Sequence, residues 1–213
     1  MKKKTLYNIK GAGRPAIHDR GIRHVARDEI KRRTPLHLTI KINKEKSGLR
    51  NKSIIKALHS SIKKARLIGL RVIHYTLEYD HVHLLIETES NVLLGKGMQS
   101  FGISFSKGIN KIKGLKGQVF KTRYHFRKLK TPAEIKNAIN YILGNSVKHK
   151  QASSIITPYN SLPAIADFSR LYPGFERMIE DTIDSSSFLS ALKIELKNVL
   201  YEPGHFLIRK WIG

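Results

Sequence analysis

Arg71-Val72-Ile73-His74-Tyr75-Thr76-Leu77-Glu78-Tyr79-Asp80-His81-Val82-His83-Leu84-Leu85-Ile86-Glu87-Thr88 reads as two apolar, β-branched strands with a short polar break at Asp80. The break is either a turn or a bulge. Helical periodicity flanks the pair. Upstream, Ile54, Leu58, Ile62 and Ala65 predict a helix over 51–68 that Gly69 ends. Downstream, Leu94, Met98, Phe101, Phe105, Ile109 and Ile112 predict a second one. Further out, Leu36-His37-Leu38-Thr39-Ile40-Lys41-Ile42 alternates as a half-buried strand does, and 119–129 reads as another strand. Thr131-Pro132-Ala133-Glu134 is a capping box with proline at the first helical position, opening a helix that runs to about Lys148. The order β-α-β-β-α-β-α predicts an α+β fold: a ferredoxin-like antiparallel sheet with helices packed on it. Residues 1–33 read as a basic, mobile N-terminal arm, 34–150 as the domain, and 151–213 as a helical C-terminal extension, with its helix over 188–200. There is no internal repeat.

Charge narrows the partner. The 213 residues carry 40 Lys+Arg against 16 Asp+Glu, a formal net charge of +24, with an ordinary 40% of hydrophobic residues. There is no cysteine, which excludes disulfides, a thiolate nucleophile and cysteine-ligated metals. No apolar run approaches the roughly 18 residues of a membrane span, and no secretory core follows the basic start. A cytoplasmic, nucleoid-associated protein is expected, with no membrane partner. The charge is uneven. Residues 76–89 hold four acids and no Lys or Arg, whereas 90–133 hold ten basic residues and no acid. A 44-residue block without a carboxylate reads as a surface facing phosphates. Aromatics interleave with it (Phe101, Phe105, Phe120, Tyr124, Phe126), some for the core and others suited to stacking on unpaired bases. The second helix also carries glycines 95, 97, 102 and 108, each costing up to about 1 kcal/mol against alanine. Close helix packing or close approach of a DNA strand would explain them.

His81 and His83 are two apart in a strand, so both imidazoles emerge on one face. Two neutral imidazoles are half of a metal site. The bland alternative is a chance pair of core histidines. Against it stand the strongly apolar strand around them and the local acids, which favour a cation. In the capped helix Ile135, Ile139 and Ile142 share a face, while Tyr141 and Asn145, four apart, share a neighbouring one near Lys148. A buried stripe would not hold Asn145 and Lys148. Asn145 could give a carbonyl oxygen to a metal held by the histidines, bringing the Tyr141 hydroxyl near whatever that metal polarises.

On these residues the chain resembles the single-tyrosine HUH transposases, in the branch of REP-associated tyrosine transposases. The fitting segments are Gly13-Arg14-Pro15, Thr34-Pro35-Leu36-His37-Leu38-Thr39, Tyr79-Asp80-His81-Val82-His83-Leu84-Leu85, Gly97-Met98-Gln99, Arg123-Tyr124-His125, Leu129-Lys130-Thr131-Pro132-x-Glu134, and Tyr141-Ile142-Leu143-x-Asn145 through Lys148-His149. A weaker echo is the C-terminal Pro-x-x-Phe-Leu-x-x-x-Trp. The chain departs at Asp80, where relatives commonly carry asparagine, and at Gly144-Asn145-Ser146, where many have Asn-Pro or Asn-Asn.

The resemblance implies the HUH endonuclease fold and a strand transferase acting on single-stranded or hairpin DNA. His81, His83 and Asn145 would bind one divalent metal ion, Mg or Mn, that polarises the scissile phosphate. Tyr141 would attack phosphorus, leaving a 5′-phosphotyrosine and a free 3′-hydroxyl. A phenol of pKa about 10 is ionised to roughly one part in a thousand at neutral pH, so a neighbouring cation, the metal or Lys148, is needed. Arg14, Lys121, Arg123, Tyr124, Arg127, Lys128 and Lys148 are the expected DNA contacts. No cofactor besides the metal is implied, and a monomer and a homodimer are both compatible. The other readings are a non-catalytic repeat- or hairpin-binding protein, a replication or conjugation nickase, and an RNA binder of the RRM kind. That last reading wants aromatics where residues 81–88 have histidines and aliphatics.

Overall fold

The structure is a computed structural model, and it describes residues 28–31, 33–149, 157, 159–162 and 199–201. The elements run β1 (Thr34–Lys41), α1 (Lys52–Leu67), β2 (Arg71–Leu77), β3 (His81–Thr88), α2 (Asn91–Lys113), β4 (His125–Lys128) and α3 (Pro132–Lys148). The sheet is antiparallel in the order β2-β3-β1-β4. This is the ferredoxin-like α+β arrangement that the element order predicts. Most of the N-terminal arm, the helix expected over 188–200 up to residue 198, and the C-terminal echo lie outside the described residues. Ile30, at the base of that arm, is buried with the core, as are Val199 and Leu200.

Strand alternation sends two kinds of side chain to the two faces. Leu36, Leu38 and Ile40 of β1 join Val82, Leu84 and Ile86 of β3 in the main core with Ile54, Leu58, Phe101 and Phe105 from the two long helices. The opposite face holds the polar half of each strand. Thr76, His83, Thr39 and His125 are register partners across it, and His74, Leu85, His37 and Arg127 form the next row. α3 packs against β2 and β3. Its Ile135, Ile139, Ile142 and Leu143 are buried outside the main core cluster.

The α2 glycines divide by use. A Cβ on Gly97 would stand 2.5 Å from Leu70 Cβ, and one on Gly108 would stand 2.9 Å from Ala57 Cβ. Those two permit close packing of α2 on its neighbours. A Cβ on Gly95 would meet nothing within 4 Å.

The strand expected over 119–129 is shorter than its sequence pattern, and Arg123 and Tyr124 precede it. Ile42 bridges Phe120, and pairing resumes with Thr39 opposite His125. Three steps from Ile42 back to Thr39 thus face five from Phe120 to His125, so two surplus residues form a bulge over 121–124. The buried Lys46 fixes the approach to this bulge. Its Nζ donates to Asn110 Oδ1 (2.8 Å), Lys116 O (2.7 Å) and Gly117 O (3.0 Å). On the other edge, β2 receives chain from the C-terminal region: Leu77 N–H donates to Tyr159 O (2.7 Å), and Tyr201 N–H donates to Val72 O (2.8 Å).

Candidate functional site

β3 brings His81 and His83 to the α3 side of the sheet, with ring centroids 4.7 Å apart. In each ring one nitrogen is already occupied. Nδ1 of His81 lies 2.7 Å from Asp80 Oδ1. Nδ1 of His83 lies 3.0 Å from Thr39 Oγ1 and 3.1 Å from His37 Nε2. Partners of this kind fix a ring's orientation and tautomer, leaving Nε2 to act. Nε2 of His83 is buried and has no hydrogen-bond partner among the described residues.

Burial keeps the His37 and His83 rings neutral. Burial pushes His83 down to about 2, with the His37, His81 and His149 rings adding to the shift. Burial also lowers His37 to about 4, helped by Arg127 and His125. Both rings are therefore neutral at neutral pH, the form in which an imidazole ligates a metal, and Nε2 of His83 is the nitrogen left without a partner among the described residues.

Tyr141 stands at the mouth. It is 41% exposed, and its ring centroid is 5.1 Å from His83 and 5.7 Å from His37. A cleft of about 420 Å³ is lined by these residues together with Thr39, His81 and His149, and Lys41 and Asp80 close one end.

Two devices hold α3 in place. The capping box forms as expected: Glu134 N–H donates to Thr131 Oγ1 (3.2 Å), and Glu134 Oε2 accepts from the N–H of Thr131 (3.2 Å) and of Lys130 (2.6 Å). These bonds, with the Arg127 contact, hold the Glu134 carboxyl below its usual range. At the other end Ser146 Oγ donates to the fully buried Glu78 (3.0 Å) and accepts from Arg50 Nη1 (2.9 Å). Thr76 Oγ1 also donates to Glu78 (3.0 Å), and the Arg50 guanidinium lies 3.9 Å from the other carboxylate oxygen. Ser146, one of the departures from the family pattern, therefore locks the helix to the sheet.

Asn145 is only 1% exposed, although its stripe reads as a solvated one, and it does not line the cleft. Oδ1 and Nδ2 are both buried without a hydrogen-bond partner among the described residues. Leaving such atoms unpaired costs about 1–3 kcal/mol each. No group of three His, Cys, Asp or Glu side chains among the described residues is arranged to hold a metal. Of the three expected ligands, His81 and His83 line the cleft together, with Nε2 of His83 orphaned, whereas Asn145 is buried outside its lining with an orphaned Oδ1 among the described residues.

The expected DNA contacts scatter. Arg14 lies outside the described residues. Lys148 is exposed at the end of α3, and Lys121 lines a hollow beyond the cleft that shares Lys41 and Asp80 with it. Arg123 and Tyr124 line a separate, apolar hollow. Arg127 pairs with Glu134 at 2.6 Å beside Tyr141 and His37. Lys128 is tied to the segment before β1, through Glu29 O and, at 3.9 Å, Asp28. Sequence reasoning passed over His37, Thr39 and His149 as site residues. For the first two the signal was available, because His37-x-Thr39-x-Lys41 is the polar half of the same alternation that put Leu36, Leu38 and Ile40 in the core.

Comparison with solved structures places this fold. The chain is similar to a REP-associated tyrosine transposase bound to a REP hairpin, with TM-score 0.54 and 17% identity over 66% of this chain and 83% of that one. A putative transposase from Deinococcus radiodurans aligns with TM-score 0.39 and 16% identity, covering 56% of this chain and 94% of that one. No curated protein matches. The family described as "Transposase IS200 like" matches residues 31–145, just over half of the sequence and the span that carries β1, the histidine pair, Tyr141 and Asn145. The chain therefore belongs to the IS200-like transposase family.

Proposed function

We propose that this transposase cuts and rejoins single-stranded DNA through Tyr141. The observation that carries the reading is the approach of a half-exposed phenol to an imidazole whose buried Nε2 has no partner among the described residues. His81, His83 and Asn145 are the residues that would hold a divalent ion, Mg or Mn. When bound, such an ion supplies Lewis-acid polarisation of a phosphoryl oxygen and favours ionisation of a nearby phenol.

The chain's own groups do the rest. Asp80, Thr39 and His37 hold the two imidazoles by their Nδ1 atoms. Tyr141 gives up its phenolic proton to solvent, and its oxygen bonds to phosphorus as the bond from phosphorus to the 3′-oxygen breaks. The leaving oxygen takes a proton and becomes a free 3′-hydroxyl, while the 5′ side stays on the protein as a phosphotyrosine ester. Attack by another 3′-hydroxyl reverses the step without a nucleotide cofactor. Lys121, exposed in the hollow beyond the cleft, and Lys148, exposed at the end of α3, hold flanking phosphates. The REP-associated relative holds a REP hairpin, and hairpin DNA is accordingly the partner proposed here.

The test is incubation of the full chain with Mn and a labelled oligonucleotide carrying a hairpin and a single-stranded flank. A denaturing gel should show label that migrates with the protein and needs the ion. Binding without any covalent species would leave a DNA-binding protein and remove the cleavage reading.

A further inference from the structure

A second hollow lies away from the histidine cleft, between α2 and the segment 117–124, and has a volume of about 620 Å³. Its floor is Ile40, on the side of β1 that faces the helices. Its walls are apolar: Ile103, which is 52% exposed, stands opposite Phe120 and Tyr124. Phe101 and Phe105 pair in the core with centroids 5.5 Å apart, so of the aromatics in the acid-free block only some can reach a ligand. Phe101, Phe120 and Tyr124 line this hollow, but Phe101 is fully buried, so only Phe120 and Tyr124 offer exposed ring surface. Exposed Lys107 and Arg123 stand on its rim, and residues 90–133 bring no carboxylate near it.

A third hollow lies between this one and the cleft. Lys41 and Asp80 close one end of the cleft and also line the next hollow, whose far side is Lys121. Lys121 sits in the bulge between Phe120 and Thr122, which both line the apolar hollow. A strand leaving the cleft would cross a saddle of Lys41, Lys44 and Lys121, with Glu45 and Asp80 among them, before it reached the apolar slot and its basic rim. An apolar slot beside cations matches one nucleotide unit, with the base stacked inside and the phosphate at the edge.

We propose that this hollow takes an unstacked base of the bound strand, at a nucleotide beyond the saddle from the one at Tyr141. Phe120 and Tyr124 supply the stacking faces, and Lys107 and Arg123 hold the adjoining phosphates. Lys46, by pinning Lys116 and Gly117, keeps the slot open before DNA arrives. This assignment rests on the single-strand reading above.

The test compares two labelled strands of equal length, oligodeoxythymidylate and an abasic sugar-phosphate strand, by fluorescence anisotropy at fixed salt. The full chain should bind the base-bearing strand at least about tenfold more tightly, the scale of one stacked base. Gly102→Leu places a side chain toward Phe120, since a Cβ there stands 3.4 Å from that ring. It should reduce the preference about tenfold and leave abasic binding unchanged. Ile103→Ala, on the exposed rim, should reduce it several-fold and keeps the test valid if the first variant does not fold. An unchanged preference in the folded variants overturns the proposal. So does a change in oligomeric mass with the preference intact, which would make the hollow a contact between copies. Adduct formation at Tyr141 is read in parallel, with Mn and the hairpin oligonucleotide. If the adduct forms while Gly102→Leu keeps the preference, the base slot falls alone. If the wild type keeps the preference but forms no adduct, the cleavage reading falls and the slot stands.

Discussion

Nε2 of His37 lies 3.1 Å from Nδ1 of His83, joining β1 to β3 through the two rings. His37 is four residues before Lys41 in a strand whose alternate residues are core, yet its ring sits within the candidate catalytic cluster. In the proposed reaction its part is positioning, through the contact of its Nε2 with His83. His37→Ala should weaken Mn binding about tenfold, the usual scale for a group that supports a ligand, and His37→Ala with Thr39→Val should weaken it further. Calorimetric titration with Mn measures both. Equal affinity in the wild type and the double variant would mean that neither group orients His83.

The lock between α3 and the sheet has its own expected cost. Ser146→Ala removes a hydroxyl that bonds a fully buried carboxylate and a guanidinium. Urea unfolding should show a loss of about 1–3 kcal/mol, the range for leaving a buried polar group short of a partner. A change below about 0.5 kcal/mol would place this site with ordinary surface substitutions and contradict the lock.

Acid should destabilise the fold earlier than its carboxylates alone would require. His74 is buried against Ser161, and burial lowers it to about 3. In the unfolded chain it takes a proton near pH 6.5, while in the folded chain it stays neutral. Its contribution is therefore complete above pH 6.5 and is lost as the pH falls toward 3, at roughly 1.4 kcal/mol per pH unit. His37 and His83 act in the same direction. His74→Asn, which can keep a polar contact to Ser161, should flatten the fall in stability between pH 6.5 and 5 by one proton. Denaturation series at three pH values check this, and an unaltered slope would mean that His74 protonates without unfolding.

Binding of single-stranded DNA should weaken linearly in log–log form with salt. Lys121→Gln, at the exposed saddle, should reduce the slope by about 0.7, one phosphate contact on a single strand. The same slope for variant and wild type would remove Lys121 from the path.

Much of this was legible in the sequence because it depends on local rules. Strand alternation gave the two faces, Thr131-Pro132-Ala133-Glu134 gave the start of α3, and His81-Val82-His83 gave the paired rings. What escaped depends on three dimensions. The surplus of residues at 121–124 becomes visible only when β1 is laid beside it. Asn145 looked solvated from its helical neighbours, but the sheet covers that part of α3. Lys46 sits among charged residues and reads as surface, yet its ammonium is buried against Asn110, Lys116 and Gly117. His37 and Thr39 become site residues only through the pairing of β1 with β3, a contact between residues more than forty apart.

The central claim is that the Tyr141 oxygen takes the phosphate. The direct measurement is mass spectrometry of peptides from the full chain after reaction with Mn and the hairpin oligonucleotide. A nucleotide mass on the peptide that holds Tyr141, absent from the Tyr141→Phe variant while that variant still binds the oligonucleotide, is the predicted result. A nucleotide mass on another tyrosine, or the same adduct yield in Tyr141→Phe, would contradict it.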